Sequence, residues 1–335
     1  MLDLKKYMDI KCHRGTKYKI MKVLKLISLI CLAAGSLLSA CSKQSEPIIS
    51  EPTISGPIIN QIVVQADDVT LHVRIAGNQE AEEILIAIHG GPGNSSDYMI
   101  SLEELQSDEI AVVTYDQRGA GRSSEPSEGF ALLKYIEDLE AVRKAVGSEK
   151  VNLFGHSWGG IVAMRYATIY PQRVKSIILM GSGPPTADSA RAAQANLRHR
   201  ITALQQQGVI DKELPSTSEE LLLAILPAYF SDAGFEMPDE LANMSINQEA
   251  YNQTYAALGE WDFKAEVSQL RHSILMLWGE DDPFGLSMAE ATKTALAFSD
   301  ADFVVLNACG HFWHECPQEF FSQVRSFLGQ GSSTP

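Results

Sequence analysis

The sequence feature that most constrains the fold is a series of short apolar segments that alternate with helical patterns. These segments contain few polar side chains, as expected of strands that are covered on both faces of a sheet. Their alternation with helices predicts a mostly parallel, doubly wound α/β sheet. The predicted buried strands are Ile84–Ile88, Ile110–Tyr115, Val151–Phe154, Val174–Met180, Ile274–Trp278 and Phe303–Leu306.

Two earlier segments have a different pattern. Ile58–Gln65 and Val69–Ala76 alternate apolar and polar residues around the turn-like pair Asp67-Asp68, which predicts an antiparallel hairpin at the sheet edge and brings the strands to eight. The predicted helices are Tyr98–Leu105, Leu132–Val146, Ile161–Tyr170, Met288–Phe298 and Pro317–Leu328.

The alternation stops between residues 183 and 270. There the chain is rich in Ala, Gln, Leu and Glu, and helical patterns follow one another without a strand. We therefore predict that residues 183–270 form a helical cap inserted after the sixth strand. Residues 58–182 and 271–330 are predicted to form the domain that carries the sheet.

The N-terminal region has the parts of an export signal. Basic Lys22 and Lys25 precede an apolar run that ends in small residues, and this run is too short to favour a membrane span. Leu38-Ser39-Ala40-Cys41 resembles the lipobox of bacterial lipoproteins, which implies a lipid on Cys41 and a tether over residues 41–57. An ordinary signal peptide with an incidental Cys is the alternative. Residues 1–20 lie upstream of this signal, so Met21 is the predicted initiator.

The net charge limits the partners of the exported chain. Residues 1–40 hold eight Lys or Arg and two Asp or Glu, so their removal takes the net charge from −15 to −21. Nucleic acid and anionic lipid are therefore not expected to bind.

If the host has two membranes, Ser42, rather than Asp, after Cys41 predicts anchoring to the bacterial outer membrane on its periplasmic face. We predict no protein partner.

A nucleophile is predicted within Gly155-His156-Ser157-Trp158-Gly159-Gly160. The pattern G-x-S-x-G alone is weak evidence because glycine is common. Here it lies between a predicted buried strand and a predicted helix, which is the setting of a nucleophile elbow with its serine exposed at a tight turn. Ser157 is therefore the predicted nucleophile. A serine turn without chemistry is the alternative.

A glycine-rich loop, His89-Gly90-Gly91-Pro92-Gly93, follows an earlier strand. In this position a backbone N–H can point at a substrate carbonyl, so the predicted oxyanion hole consists of the N–H groups of Gly91 and Trp158. A purely structural bend is the alternative. A phosphate-binding loop is not supported, because neither G-x-x-x-x-G-K-[ST] nor G-x-G-x-x-G occurs there.

A serine nucleophile needs an imidazole base and a carboxylate that orients the base. Candidates for both follow the last two predicted strands. Asp282 is the first choice for the acid because it is the fourth residue of Gly279-Glu280-Asp281-Asp282, which is the position of the acid in the pattern G-x-x-D. Asp281 is the second choice. His311 is preferred to His314 as the base because it lies at the strand exit.

Cys309, His311, His314 and Cys316 are all metal-ligand types. We predict no metal site, because His311 is needed as the base and four ligands within eight residues would strain the start of a helix. Cys309 and Cys316 are left as either a disulfide, which an oxidising compartment permits, or two buried thiols.

Taken together, HGGPG at 89–93, DQRGAGRS at 116–123, GHSWGG at 155–160, the acid loop at 279–283 and Gly310-His311 resemble the proline iminopeptidase branch of the α/β-hydrolases. The resemblance implies an α/β-hydrolase fold, a two-step reaction through an acyl-enzyme on Ser157, no cofactor, and a structural role for DQRG. It also implies acidic cap residues that bind the substrate's amino group. The expected G-P-x-E run is missing before Trp261, so Glu260 is either a substitute or a surface charge.

Three functional hypotheses follow. The first is an aminopeptidase that cleaves small peptides with a free N-terminus. The second is a carboxylesterase, or another small-molecule hydrolase, that uses the same residues with a different cap. The third is a surface lipoprotein that kept the fold as a binding module. Dehalogenases and epoxide hydrolases are not favoured because they have Asp where this chain has Ser157.

Overall fold

The structure, a computed structural model, describes residues 59–296 and 300–331. The predicted signal peptide, the lipidation site Cys41 and the tether lie outside these residues. Among the helices formed by the described residues, none combines the length and the apolar composition needed to cross a bilayer.

The described residues form one eight-stranded sheet in the order β1-β2-β4-β3-β5-β6-β7-β8. The hairpin β1–β2 is antiparallel and also joins β4 in antiparallel fashion, whereas strands β3 to β8 pair in parallel. The predicted α/β fold with a mostly parallel sheet is confirmed. The strands are β1 Ile59–Gln65, β2 Thr70–Ala76, β3 Glu83–Ile88, β4 Ile110–Tyr115, β5 Val151–His156, β6 Val174–Met180, β7 Ser273–Gly279 and β8 Asp300–Leu306.

Helices cover both faces of the sheet because the central strands are apolar on both sides. In β3, Ile84 and Ile86 belong to the core beneath α1 and α2, while Leu85 belongs to the core beneath α9. The α-helices of the described residues are α1 Leu132–Ala145, α2 Trp158–Ile169, α3 Ala187–Gln207, α4 Ser218–Ile225, α5 Asp239–Ala242, α6 Gln248–Leu258, α7 Lys264–Val267, α8 Leu286–Ala295 and α9 Pro317–Gly331.

Most element boundaries differ from the sequence prediction by a few residues. The elbow helix α2 begins at Trp158, three residues earlier than predicted, because the turn at Ser157 is a single residue and both following glycines are helical. The segment predicted as a helix from Tyr98 is a 3₁₀ helix, Ser96–Leu105, rather than an α-helix.

The inserted segment, residues 183–270, contains helices α3 to α7 between β6 and β7. Helix α3 begins after Thr186, whose side chain accepts a hydrogen bond from the Ser189 backbone N–H at 3.2 Å. Two isolated antiparallel bridges, Asn94 with Ile246 and Thr186 with Asp262, fix the path of this segment.

Candidate active site

Ser157 lies in a strained turn between β5 and α2. Its φ of 52° and ψ of −118° are rarely adopted by a residue with a side chain. Hydrogen bonds hold this conformation: the Ser157 N–H donates to the Met180 carbonyl at 3.0 Å, and the Ser157 carbonyl accepts from the Gly160 and Gly183 N–H groups at 3.0 and 2.7 Å. Hydrogen bonds to β6 and to the first turn of α2 therefore hold the strained backbone of Ser157 in place.

The glycines around Ser157 are required by close backbone approach. A Cβ atom at Gly159 would lie 2.0 Å from the Ile88 carbonyl oxygen, and one at Gly155 would lie 2.7 Å from the Gly159 carbonyl oxygen. Both distances are far below van der Waals contact. The glycine spacing of the motif thus follows from how tightly α2 packs against the ends of β3 and β5.

His311 and Asp282 form a buried pair. The His311 Nδ1 lies 2.8 Å from Asp282 Oδ2, and both side chains are at most 5% exposed. The other carboxylate oxygen of Asp282 accepts the Phe284 N–H at 2.9 Å, which fixes the carboxylate plane. Because a carboxylate only accepts, Nδ1 carries the proton and Nε2 of a neutral His311 is left as a base.

The competing candidates make other contacts. Asp281 Oδ2 accepts a hydrogen bond from Ser231 Oγ at 2.6 Å at the surface. His314 Nε2 lies 2.7 Å from Glu240 Oε1 and 3.1 Å from the Tyr98 carbonyl oxygen. The structure therefore brings Asp282, and not Asp281, to the imidazole of His311.

The two predicted oxyanion donors, Gly91 and Trp158, line the same cavity as Ser157. Trp158 is the first residue of α2, so its N–H has no partner within the helix. Gly91 has φ +46°, its carbonyl accepts the Asn94 N–H at 2.9 Å, and its own N–H donates no hydrogen bond within the described part of the chain. Both N–H groups are available to an oxygen atom placed between them.

Ser157, His311, Gly91 and Trp158 line one cavity of about 370 Å³. The Ser157 hydroxyl forms no hydrogen bond to a described protein group, and such contacts tighten when substrate binds. Helices of the inserted segment supply most of the remaining wall, which is mainly apolar and aromatic. This part of the lining comprises Ala190, Ala193, Gln194, Leu197, Arg198, Ile201, Leu222, Ile225, Tyr229, Tyr251, Tyr255 and Trp261.

Comparison with known proteins shows the family to which the chain belongs. The α/β hydrolase fold family matches residues 83–315. A proline iminopeptidase of Saccharolobus solfataricus is 41% identical over 275 residues, covering 73% of this chain and 84% of that protein. A proline iminopeptidase of Lactobacillus helveticus is 38% identical over 282 residues, covering 77% and 94%. The chain belongs to the proline iminopeptidase-like branch of the α/β-hydrolases.

Solved structures show the same fold in proteins of different activity. The proline iminopeptidase of Mycobacterium smegmatis aligns with this α/β-hydrolase at a TM-score of 0.64 and 22% identity, covering 81% of this chain and 98% of that one. An esterase from Exiguobacterium antarcticum aligns at 0.60 and 19%, covering 80% and 98%. At these identities the similarity concerns the fold alone.

The DQRG loop of this α/β-hydrolase, which follows β4, forms hydrogen bonds that connect it to the active site. Asp116 Oδ1 accepts the Ser96 N–H at 2.7 Å, and the Arg118 guanidinium donates two hydrogen bonds to Asp138 at 2.8 and 2.9 Å. Gln117 accepts the Trp158 indole N–H at 3.0 Å. The loop therefore fixes the Trp158 ring, a contact that the sequence analysis did not identify.

Glu260 is placed outside the cavity. Its carboxylate is exposed and accepts hydrogen bonds from Arg191 at 2.8 and 2.9 Å. Among the described residues that line the cavity there is no Asp or Glu, and Arg198 is the single Lys or Arg. The structure does not bring a carboxylate to the position where the family resemblance implies an amino-group site.

The loop that carries His311 is closed by a disulfide between Cys309 and Cys316, with the Cα atoms 5.6 Å apart. Both cysteines are buried. In the described ranges no group of three or more His, Cys, Asp or Glu side chains is placed to hold a metal ion.

Two further residues, Tyr98 and His156, line the cavity and are not predicted by the sequence motifs. His156 could have been noticed as the residue directly before the nucleophile.

Proposed function

We propose that this α/β-hydrolase is a serine hydrolase that works through an acyl-enzyme on Ser157. The observation that carries the proposal is the His311–Asp282 pair at 2.8 Å, which opens onto the same cavity as the strained Ser157. A hydroxyl in a strained turn, a base with a fixed tautomer and two unpaired N–H groups are what acyl transfer requires.

The proposed reaction has two steps. Ser157 Oγ attacks the acyl carbonyl while His311 Nε2 takes the hydroxyl proton, and the Gly91 and Trp158 N–H groups stabilise the resulting oxyanion. His311 then gives the proton to the departing amine or alcohol. Water, deprotonated by His311, then attacks the carbonyl of the acyl-enzyme; the bond to Ser157 Oγ breaks, His311 returns the proton to Ser157, and the acid is released. Asp282 holds the imidazole and stabilises its charged form without taking a proton itself.

We propose small peptides with a free N-terminus as the first substrate class. The support comes from the relatives named proline iminopeptidase, which cover more than two thirds of this chain. The small volume of the cavity, about 370 Å³, also suits a short acyl group.

A carboxylesterase is the second candidate, and one observation favours it. A substrate ammonium group would find no carboxylate among the described cavity residues, whereas Arg198 adds a positive charge to the wall. Binding of an uncharged ester is not weakened by the missing carboxylate, because its acyl group needs only apolar contact.

Labelling with a fluorophosphonate tests the serine mechanism. We expect rapid covalent labelling of the wild-type protein and none of the Ser157→Ala variant. Ser182→Ala is a matched control, because Ser182 is buried near the elbow. Its hydroxyl donates to the Gly183 carbonyl at 3.0 Å and to no other group among the described residues. No labelling of the folded wild type would favour a binding module, and labelling that persists in Ser157→Ala would contradict Ser157 as the nucleophile.

A substrate panel separates the two candidates. Turnover of prolyl- and alanyl-naphthylamide is compared with that of N-acetyl-prolyl-naphthylamide and short p-nitrophenyl esters. An aminopeptidase cleaves the free amines and rejects the N-blocked compound. Equal cleavage of free and blocked amides, with faster ester turnover, assigns the esterase.

We also propose that the protein is exported and lipid-anchored to a bacterial membrane through Cys41, on the periplasmic face of an outer membrane. The support is the sequence signal at residues 21–41. Cells fed a radiolabelled fatty acid should label the wild-type protein and not Cys41→Ser. Incorporation into both proteins contradicts this anchor site.

A further inference from the structure

Three buried hydrogen bonds connect the loops of the active site. The Gly90 N–H donates to Tyr98 Oη at 2.5 Å, and Tyr98 Oη lies 2.8 Å from His156 Nδ1. His156 Nε2 in turn lies 3.0 Å from the backbone oxygen of His311. The path runs from the glycine-rich loop, through the end of β5, to the loop that carries His311, which we call the base loop.

Each end of this path is next to a reacting group. Gly90 precedes the oxyanion donor Gly91, His156 precedes Ser157, and the accepting carbonyl belongs to His311 itself. These residues lie at or just after the ends of three different strands, β3, β5 and β8, and β8 is three positions away from β5 in the sheet. These hydrogen bonds thus connect directly three active-site segments that are far apart in the sequence.

The protons in this path have one consistent order. The His311 carbonyl can only accept, so His156 Nε2 carries a hydrogen, and a neutral imidazole then accepts at Nδ1. The Tyr98 hydroxyl must therefore donate to Nδ1, and its oxygen is free to accept the Gly90 N–H. Every donor in the path has an acceptor, and no group is left over.

Burial keeps both side chains neutral. Tyr98 is 0% exposed and His156 is 1% exposed. Burial, the largest cause, lowers the pKa of His156 well below its usual value and raises the pKa of Tyr98. The nearby His311 lowers the pKa of His156 further, since two adjacent imidazolium ions repel each other.

We propose that Tyr98 and His156 are positioning residues, which together hold the Gly91 N–H, the Ser157 hydroxyl and the His311 imidazole in register for acyl transfer. The inference rests on the proposed serine hydrolase function. Neither residue exchanges a proton with substrate in this proposal. Their effect is on the rate of the chemical steps, because misplacement of a reacting group by about 1 Å can slow a reaction about 100-fold.

The test measures the rate of inactivation by a fluorophosphonate and, with a substrate found by the panel above, kcat and KM. Tyr98→Phe removes one oxygen and leaves the Gly90 N–H and His156 Nδ1 unpaired. We expect inactivation and kcat to fall at least about tenfold per folded molecule, with KM changed less than about twofold.

Tyr166→Phe is the matched control. Tyr166 is also buried, and its hydroxyl donates to Glu140 at 2.6 Å, but it does not line the cavity. The same oxygen is removed from the same residue type, so a general loss of stability affects both variants. We expect Tyr166→Phe to keep the wild-type rates once the folded fraction is measured by circular dichroism.

A second pair of variants keeps the test decisive if Tyr98→Phe does not fold. His156→Gln retains a side-chain N–H that can reach the His311 carbonyl, whereas His156→Leu has none. We expect the Gln variant to be inactivated several-fold faster than the Leu variant. Equal rates in this pair, wild-type rates in Tyr98→Phe, an equal loss in Tyr166→Phe, or an effect confined to KM would each overturn the proposal. If the wild type does not react with the probe, the serine hydrolase function itself fails.

Discussion

The strand ends and the inserted segment contribute to the same cavity in different ways. At the strand ends, His311, Asp282 and the residues behind them are buried and connected by directional hydrogen bonds. The inserted segment presents mainly apolar and aromatic side chains to the cavity, and places ion pairs such as Arg191 with Glu260 in solvent. In the proposed mechanism, the strand ends therefore set the reaction type, and the inserted segment sets which acyl group fits.

The two regions meet at the base loop. The His311 N–H donates to the Tyr229 carbonyl of the inserted segment at 2.7 Å. Glu315, in the same loop, accepts the Gly310 N–H and the Ser231 N–H, both at 2.8 Å. A movement of the inserted segment would thus act directly on the loop that carries His311, which in the proposed mechanism couples substrate binding to the chemical step.

The strongest test of the comparison is the acid. Asp282→Asn should lower kcat about 1,000- to 10,000-fold on every substrate, because the amide no longer favours the required tautomer of His311. Asp281→Asn, one residue away and paired with Ser231, should stay within about twofold of wild type. Steady-state kinetics measure both. A larger loss of kcat from Asp281→Asn than from Asp282→Asn would mean that Asp281, and not Asp282, is the acid.

The disulfide should stabilise the base loop. Replacing Cys309 and Cys316 by Ala removes the constraint on a short loop, with a sequence separation of 7, and should lower the free energy of unfolding by about 2 to 3 kcal/mol. Urea unfolding of the double variant, compared with the wild type under non-reducing conditions, measures the difference. An unchanged denaturation midpoint would mean that the bond contributes nothing to stability.

Stability should fall in mild acid because of buried histidines. Burial lowers the pKa values of His89 and His156, so the unfolded chain binds more protons below about pH 6.5. The contribution is complete above pH 6.5 and is lost as the pH falls towards the lowered pKa. His156→Gln should flatten this dependence by about 1.4 kcal/mol per pH unit. Urea unfolding of both proteins at pH 7, 6 and 5 gives the free energy of unfolding at each pH. An identical change of this free energy with pH in the wild type and in His156→Gln contradicts the prediction.

The smallest effects are expected in the inserted segment. Tyr255→Leu removes an aromatic wall of the cavity and should raise KM up to about tenfold, by amounts that differ between acyl groups. Glu260→Gln is the control, since the carboxylate is exposed and outside the cavity, and should change kcat/KM less than about twofold. A selective loss on free-amine substrates in Glu260→Gln would restore this residue as the amino-group site.

The sequence by itself determined the fold. Apolar strands alternating with helices, and glycines at Gly155 and Gly159, are local patterns whose structural consequence does not depend on distant residues. The eight-stranded sheet and the α/β-hydrolase fold were accordingly predicted correctly. The nucleophile and base were proposed from the same local signals, and their catalytic roles stay predictions.

The tertiary structure decided which distant groups meet. It placed Asp282 rather than Asp281 against His311, paired Cys309 with Cys316, and moved Glu260 away from the cavity. It also joined Tyr98 to His156 across 58 residues of sequence. A single sequence does not predict such contacts, because a side chain's neighbours depend on how separate strands and helices pack, whereas the local pattern determines only the element to which the side chain belongs.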